Sequence, residues 1–177
     1  MRYAALLRAV NLVKRNRIAM ADLRRVLAEL GYTDVKTHLQ SGNAVFTSDL
    51  PADALERHIA GALAEDCGLS CAVMVRTGAE LAAVLAANPL GREPEKPSWF
   101  FVSFLAAEPD PAAAAALAAL DVSPDLAWIV GREAYLWCPN GPLEGKLGGP
   151  FVEKQLGVSG TARNWNTVRR LAELTAG

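Results

Sequence analysis

Histidine and cysteine are scarce in this chain, at two and three of 177 residues. A structural zinc site wants about four clustered ligands. Cys67, Cys71, Cys138, His38 and His58 show no such spacing, so no metal is expected. An odd cysteine count also argues against a disulfide framework, and the three thiols are expected to be buried and inert. Neither glycine-rich phosphate fingerprint occurs, P-loop or dinucleotide-binding turn, and no cofactor is expected. The Gly-x-Ser-x-Gly elbow is missing, and no Ser/His/Asp or Cys/His set can be read from spacing. The carboxylates are scattered, with no pair suited to acid–base work. No uncharged apolar run approaches the roughly 18 residues of a membrane helix. The opening MRYAALLRAV lacks the longer apolar core and cleavage site of a signal peptide. A cytosolic (cytoplasmic) protein with no membrane partner is expected. An excess of one charge sign is absent too: the net charge is −1. Charge alone therefore gives no reason to expect a large nucleic-acid footprint.

What is present reads as a globular α+β protein. Apolar residues make up 51% and charged residues 21% of the chain, an ordinary balance for a folded domain. A chain of this length buries about 70% of its unfolded surface without staples. Residues 3 to 10 read as a buried strand. Met20, Leu23, Val26, Leu27 and Leu30 then recur at helical spacing, which predicts a helix over 19–30 with Gly31 at its end. Val35–Leu39 and Ala44–Thr47 read as strands around QSGN, a hairpin signal. Pro51 opens a second helix near the cap candidates Ser48 and Asp49. Leu55, Ile59, Leu63 and Cys67 mark its buried side, and Gly68 its end. Cys71–Val75 is a further strand. Strand, helix, strand, strand, helix, strand is the order of a ferredoxin-like sandwich with an antiparallel sheet.

The second half begins at a capping-box pattern, Thr77 and Glu80. Residues 91–97 form a loop, and 98–105 (SWFFVSFL) a strong strand. Asp110-Pro111 starts an alanine-rich helix. LAWIV and EAYLWC form a hairpin across Gly131-Arg132. Pro150–Leu156 is a short helix, and Trp165, Val168, Leu171 and Ala172 mark the inner face of a last one. The half thus repeats strand, helix, hairpin, helix. The expected organisation is two ferredoxin-like subdomains, 1–76 and 77–177, the second with extra helices.

Topology gives the basic stretch RAVNLVKRNRIAM a setting. The loop after strand one and the turn between strands two and three lie at the same end of such a sheet. That end gathers Asn11, Lys14, Arg15, Gln40, Ser41 and Asn43 beside the start of the first helix. Backbone N–H groups and the helix dipole favour an anion there, and cations strengthen the attraction. Equally, the stretch reads as a solvated basic loop plus a tight polar turn that Gly42 and Asn43 need for backbone reasons. A second candidate is GTARNWNT, where Arg163 and Asn164 crowd the start of the last helix. There Asn164 is a plausible N-cap and Arg163 a local ion-pair partner; the functional version is a second anion contact. His38 is the only histidine near the proposed site. The aromatics concentrate in the second half, on adjacent strands, where core packing is favoured over an open RNA-stacking face.

LLRAVNL leading to IAMADLRRVLAELGYTDVKTHLQSGNAVF, with GTARNWNTVRRLAEL at the far end, resembles a bacterial family known as domain of unknown function 1697. The likeness covers nearly the whole chain, and LQSGN and TARNWNT are its specific segments. The resemblance implies two α+β subdomains and supplies no activity, cofactor or catalytic residue. Family members usually carry a glycine pair after the RAVN-type segment, where this chain has Leu12-Val13 and then Lys14-Arg15. A glycine cradle for phosphate is therefore less favoured here.

The functional expectation is a binding module for a small anionic ligand, a nucleotide or phosphorylated metabolite. Arg8, Asn11, Lys14, Gln40, Ser41 and Asn43 form the site, with Arg163 and Asn164 as outside candidates. Three alternatives stay open: nucleic-acid binding through the basic 8–25 stretch, an enzyme acting on a phosphorylated substrate with His38 as base, and a protein whose aromatic half mediates dimerisation. Neither a reaction nor an oligomeric state can be read from the sequence.

Overall fold

The structure, a computed structural model, describes residues 1–12 and 16–177. The first apolar run is strand β1 (Arg2–Leu7), buried from Tyr3 onward. Helix α1 (Met20–Glu29) buries Met20, Leu23, Val26 and Leu27, the stripe its spacing predicts. Gly31 follows with φ +84°, a left-handed exit that suits glycine. Strands β2 (Thr33–His38) and β3 (Asn43–Thr47) form the expected hairpin. Helix α2 (Ala52–Cys67) starts after Pro51 and ends at Gly68. Ser48 and Asp49 do not cap it: Pro51 holds the cap position without a side-chain bond, and the Ser48 hydroxyl instead accepts from the Leu50 N–H, 3.2 Å. Strand β4 (Val73–Thr77) completes an antiparallel sheet of order β2-β3-β1-β4.

The chain forms two compact units, Met1–Ala83 with Arg170–Gly177, and Val84–Arg169. In the first, Leu23, Leu27, Leu55, Ile59 and Leu63 pack on Tyr3, Leu7, Phe46 and Val75. Tyr32 stacks on Phe46 with ring centres 4.8 Å apart. Truncating one such fully buried leucine to alanine costs about 2–5 kcal/mol.

Helix α3 (Gly78–Ala86) opens with the predicted capping box. The Thr77 N–H donates to Glu80 Oε2 (2.8 Å) and the Glu80 N–H to Thr77 Oγ1 (3.1 Å). A short 3-10 turn, Pro97–Trp99, precedes β5 (Phe100–Leu105), so the strand starts two residues later than SWFFVSFL suggests. Then come α4 (Pro111–Ala119), β6 (Leu126–Val130), β7 (Glu133–Trp137) and α5 (Gly149–Leu156). The Asp110 carboxylate caps α4 by accepting from Ala112 and Ala113. One element departs from expectation: β8 (Gly160–Asn164) pairs with β5 before α6 (Trp165–Thr175) begins. Its residues, GTARN, are too polar to show an apolar run, and the ladder to β5 makes the strand. The sheet order is β6-β7-β5-β8, the same pattern as the first. Two four-stranded antiparallel sheets and six α-helices thus make up the described residues.

Gly42 is the position where backbone freedom matters most. Its φ is +77°, and an added Cβ would lie 2.5 Å from Val10 Cγ2 and 2.8 Å from Leu7 Cβ. Gly42→Ala should therefore destabilise the chain by about 3 kcal/mol, combining left-handed strain with overpacking. Gly31→Ala is the control: the same backbone region, but nothing within 4 Å of the new methyl, for a cost of about 1 kcal/mol. Urea unfolding of the two variants measures the difference.

Candidate functional site

The two loops that topology assigns to one end of the first sheet do meet. The Leu7 N–H donates to the Gly42 carbonyl (2.9 Å) and the Arg8 N–H to the Ala72 carbonyl (2.9 Å). Asn11 then ties the segments together. Its Oδ1 accepts from the Ile18 N–H (2.9 Å), and its Nδ2 donates to the carbonyls of Ile18 (2.9 Å) and Gln40 (2.7 Å). Asn43 is fully buried. Its amide donates to the His38 carbonyl and to Ser41 Oγ, both at 2.9 Å. Asn11 and Asn43 are thus framework for the junction.

Arg8 and Ser41 are half-buried and Gln40 is exposed. Lys14 and Arg15 lie outside the described residues. Backbone strain gathers here: Ala9, Asn11 and Leu39 have φ of 54°, 55° and 59°. Asparagine tolerates the left-handed region, whereas alanine and a bulky leucine rarely enter it. Leu12 and Leu39 are also 72% and 57% exposed, so the junction presents apolar surface beside its polar groups. Helix α1 starts nearby at Met20, with Ala19 in the cap position and no side-chain cap, and Asp22 is the acid in its first turn. No sequence signal pointed to Leu39, because positive φ at a leucine is imposed by the turn around it.

The second candidate sits in the other compact unit and serves local structure. Arg163 is 7% exposed. It donates to Thr161 Oγ1 (2.7 Å) and to the Ala162 carbonyl (2.9 Å). Burial lowers its pKa to about 10. Asn164 Oδ1 accepts from the Thr167 N–H, 3.0 Å, and caps α6. The Lys146 side chain is exposed, and its backbone N–H donates to the buried Asp125 carboxylate. Asp125 and Arg76, both buried, are polar groups that periodicity did not single out.

Cys138 is buried as expected, and burial beside Asp125 raises its pKa to about 11. Cys67 and Cys71 are only half-buried, a correction to the fully buried thiols expected; the ends of α2 and its following loop leave them partly open. Burial still raises the Cys71 pKa. Among the described residues no group of three His, Cys, Asp or Glu side chains is placed to hold a metal, and no helix is long and apolar enough to cross a membrane. Phe100, Phe104 and Tyr135 are buried. Phe100 packs against Trp165, 5.0 Å between ring centres. These rings are core and not an open stacking platform.

A mixed α+β chain of two antiparallel four-stranded sheets is the class these observations define. It belongs to the DUF1697 family, described as a protein of unknown function, whose model matches residues 1–135. No curated protein matches the chain. It is similar to a solved structure of a conserved bacterial protein from Streptococcus pneumoniae, with TM-score 0.70 and 20% identity over 98% of each chain. At that identity the likeness shows the fold.

His38 offers a direct check on the electrostatics of the junction. Burial, and then the charge of Arg170, hold its pKa below the ordinary value. A depressed histidine pKa means the unfolded chain binds the proton more readily, so its contribution to stability is present above about pH 6.5 and is lost as pH falls through the lower native value. The His38 ring resonances should titrate below about pH 6.5, and Arg170→Gln should move the midpoint upward. An NMR pH titration reads both.

Proposed function

We propose that the chain binds a small anionic ligand, a nucleotide or phosphorylated metabolite, where residues 8–12 meet residues 39–43. The observation that carries this reading is the Asn11 bridge, which joins the two loops through Gln40 and Ile18. With the bridge in place, the strained backbone at Ala9 and Leu39 is held at one spot, and strain of this kind tends to collect at functional sites. Arg8 supplies positive charge, Gln40 directional hydrogen bonds and Ser41 a hydroxyl. Lys14 adds charge by its position in the sequence. Asn11 and Asn43 hold the loops, and Arg163 and Asn164 fall outside this reading because their polar atoms serve β8 and α6.

A thermal-shift screen tests it, with inorganic phosphate, nucleotides, sugar phosphates and short oligonucleotides at low and moderate salt. A ligand present at about a hundredfold over its Kd should raise the midpoint by about 5 °C or more. Arg8→Gln and Gln40→Ala should each reduce that shift, and Gln40→Ala, at an exposed side chain, should leave the ligand-free midpoint within about 2 °C. Stabilisation by oligonucleotides alone, falling steeply with salt, would replace this reading with nucleic-acid binding. No shift from any anion would reduce the junction to a solvated basic loop.

A further inference from the structure

The outer strand of the second sheet is unusually unguarded. β6 is the edge strand in the order β6-β7-β5-β8. Among the described residues, 126–130 make no backbone hydrogen bond beyond the ladder with β7. An open edge is a template for another strand, and proteins usually blunt it with charge, proline or a bulge. The edge strand β2 of the first sheet does so: it carries Asp34 and Lys36, and its register shifts between Thr33 and Lys36. β6 has none of these. Its sequence is LAWIV, and all five residues pair with β7 in unbroken register. Leu126 and Val130 share one face with Trp128 and are 47% and 46% exposed. Leu120, 43% exposed, continues the apolar surface, along a groove that Leu117, Leu126 and Trp128 also line.

What fits this edge is set by its charges and its symmetry. Residues 97–131 contain no lysine or arginine, and their acids are Glu108, Asp110, Asp121 and Asp125. Arg132 follows directly after the strand. A parallel neighbour of the same sequence would set Asp121 beside Asp121. An antiparallel one, centred on Trp128, brings Arg132 of each copy to the end of the strand at which the other copy's exposed Asp121 enters, while Asp125 is buried and occupied by the Lys146 N–H. It also places Leu126 opposite Val130 and Ala127 opposite Ile129, so apolar residues face each other throughout. The geometry points to antiparallel pairing of β6 with β6 of a second copy of this chain, joining two four-stranded sheets into one. This contact is independent of the anion site proposed above.

Sedimentation velocity on the full chain from about 1 to about 200 μM tests the contact, with dissociation in that range corresponding to ordinary reversible dimers. The wild type should pass from monomer to dimer. Val130→Lys and Leu126→Lys should each weaken the dimer by at least about a hundredfold, because a two-fold contact meets every substitution twice. Both positions are half exposed, so the monomer fold should persist, with circular dichroism as the control. A readout that needs no variant is amide exchange in the wild type: residues 126–130 should exchange more slowly as concentration rises. A wild type that stays monomeric throughout, a dimer that either lysine leaves intact, or exchange at 126–130 that ignores concentration would each overturn the proposal.

Discussion

The closeness of Gly42 to the end of β1 is the constraint on which the candidate site depends. A methyl group at residue 42 would overlap Leu7 and Val10, so only a glycine lets the 39–43 turn sit on the strand. The Leu7 N–H then reaches the Gly42 carbonyl, and β1 has to leave by a sharp path. That path is the left-handed backbone at Ala9 and Asn11. A buried polar side chain needs hydrogen-bond partners, and Asn43 finds its own within the turn itself, at the His38 carbonyl and Ser41 Oγ. Asn11 finds its partners across the gap. One missing side chain therefore sets the turn, the turn sets the exit of the strand, and the two asparagines lock what results. Holding Leu39 in the left-handed region costs of order 1–3 kcal/mol, which persists only where the surroundings over-determine it.

Much of this was legible in the sequence, for a physical reason. The stripes of α1 and α2 and the paired strands around QSGN are periodic, and periodicity survives projection onto one dimension. Once strand order is inferred, chain direction alone brings residue 11 near residue 40. What periodicity does not encode is the partner of a polar side chain. Asn11 and Asn43 read as ligand contacts, and the structure gives their amides to the backbone. The sequence QSGN looks the same whether its asparagine faces a ligand or a carbonyl. β8 escaped for a related reason. Its pairing with β5 is non-local, and its alternation is inverted: Thr161 and Arg163 are buried while Ala162 is exposed.

Arg163 shows the same limit in sharper form. A cation near a helix start invites an anion, but this one is almost entirely buried. Burial favours the neutral form and brings the pKa to about 10, which still leaves the guanidinium charged near neutrality. A buried charge must be hydrogen-bonded to be tolerated. The Thr161 hydroxyl and Ala162 carbonyl provide that inside the strand itself. Asn164 then uses its side chain to start α6. The segment TARN thus combines a buried cation and a helix cap, and both are consequences of a strand running directly into a helix.

Two sheets with one strand order allow the same architecture to be compared with itself. Fold is shared between them, so fold cannot distinguish their roles; sites can. Among the described residues every non-glycine with positive φ falls between Ala9 and Leu39, in the first unit. Asn11, Asn16 and Asp34 are residue types that enter that region at little cost. Ala9 and Leu39 are not, and both lie at the junction that Asn11 bridges. In the second unit the corresponding hairpin turn is Gly131-Arg132, with glycine taking the positive φ, and no leucine is strained. The same strand order can therefore be built without this strain, and topology alone does not require it. The difference lies in how tightly the first turn is pressed onto β1. That close fit, more than the basic character of the loop, is what sets the turn at residues 39–43 apart from the turn at Gly131, where an added Cβ would meet nothing within 4 Å.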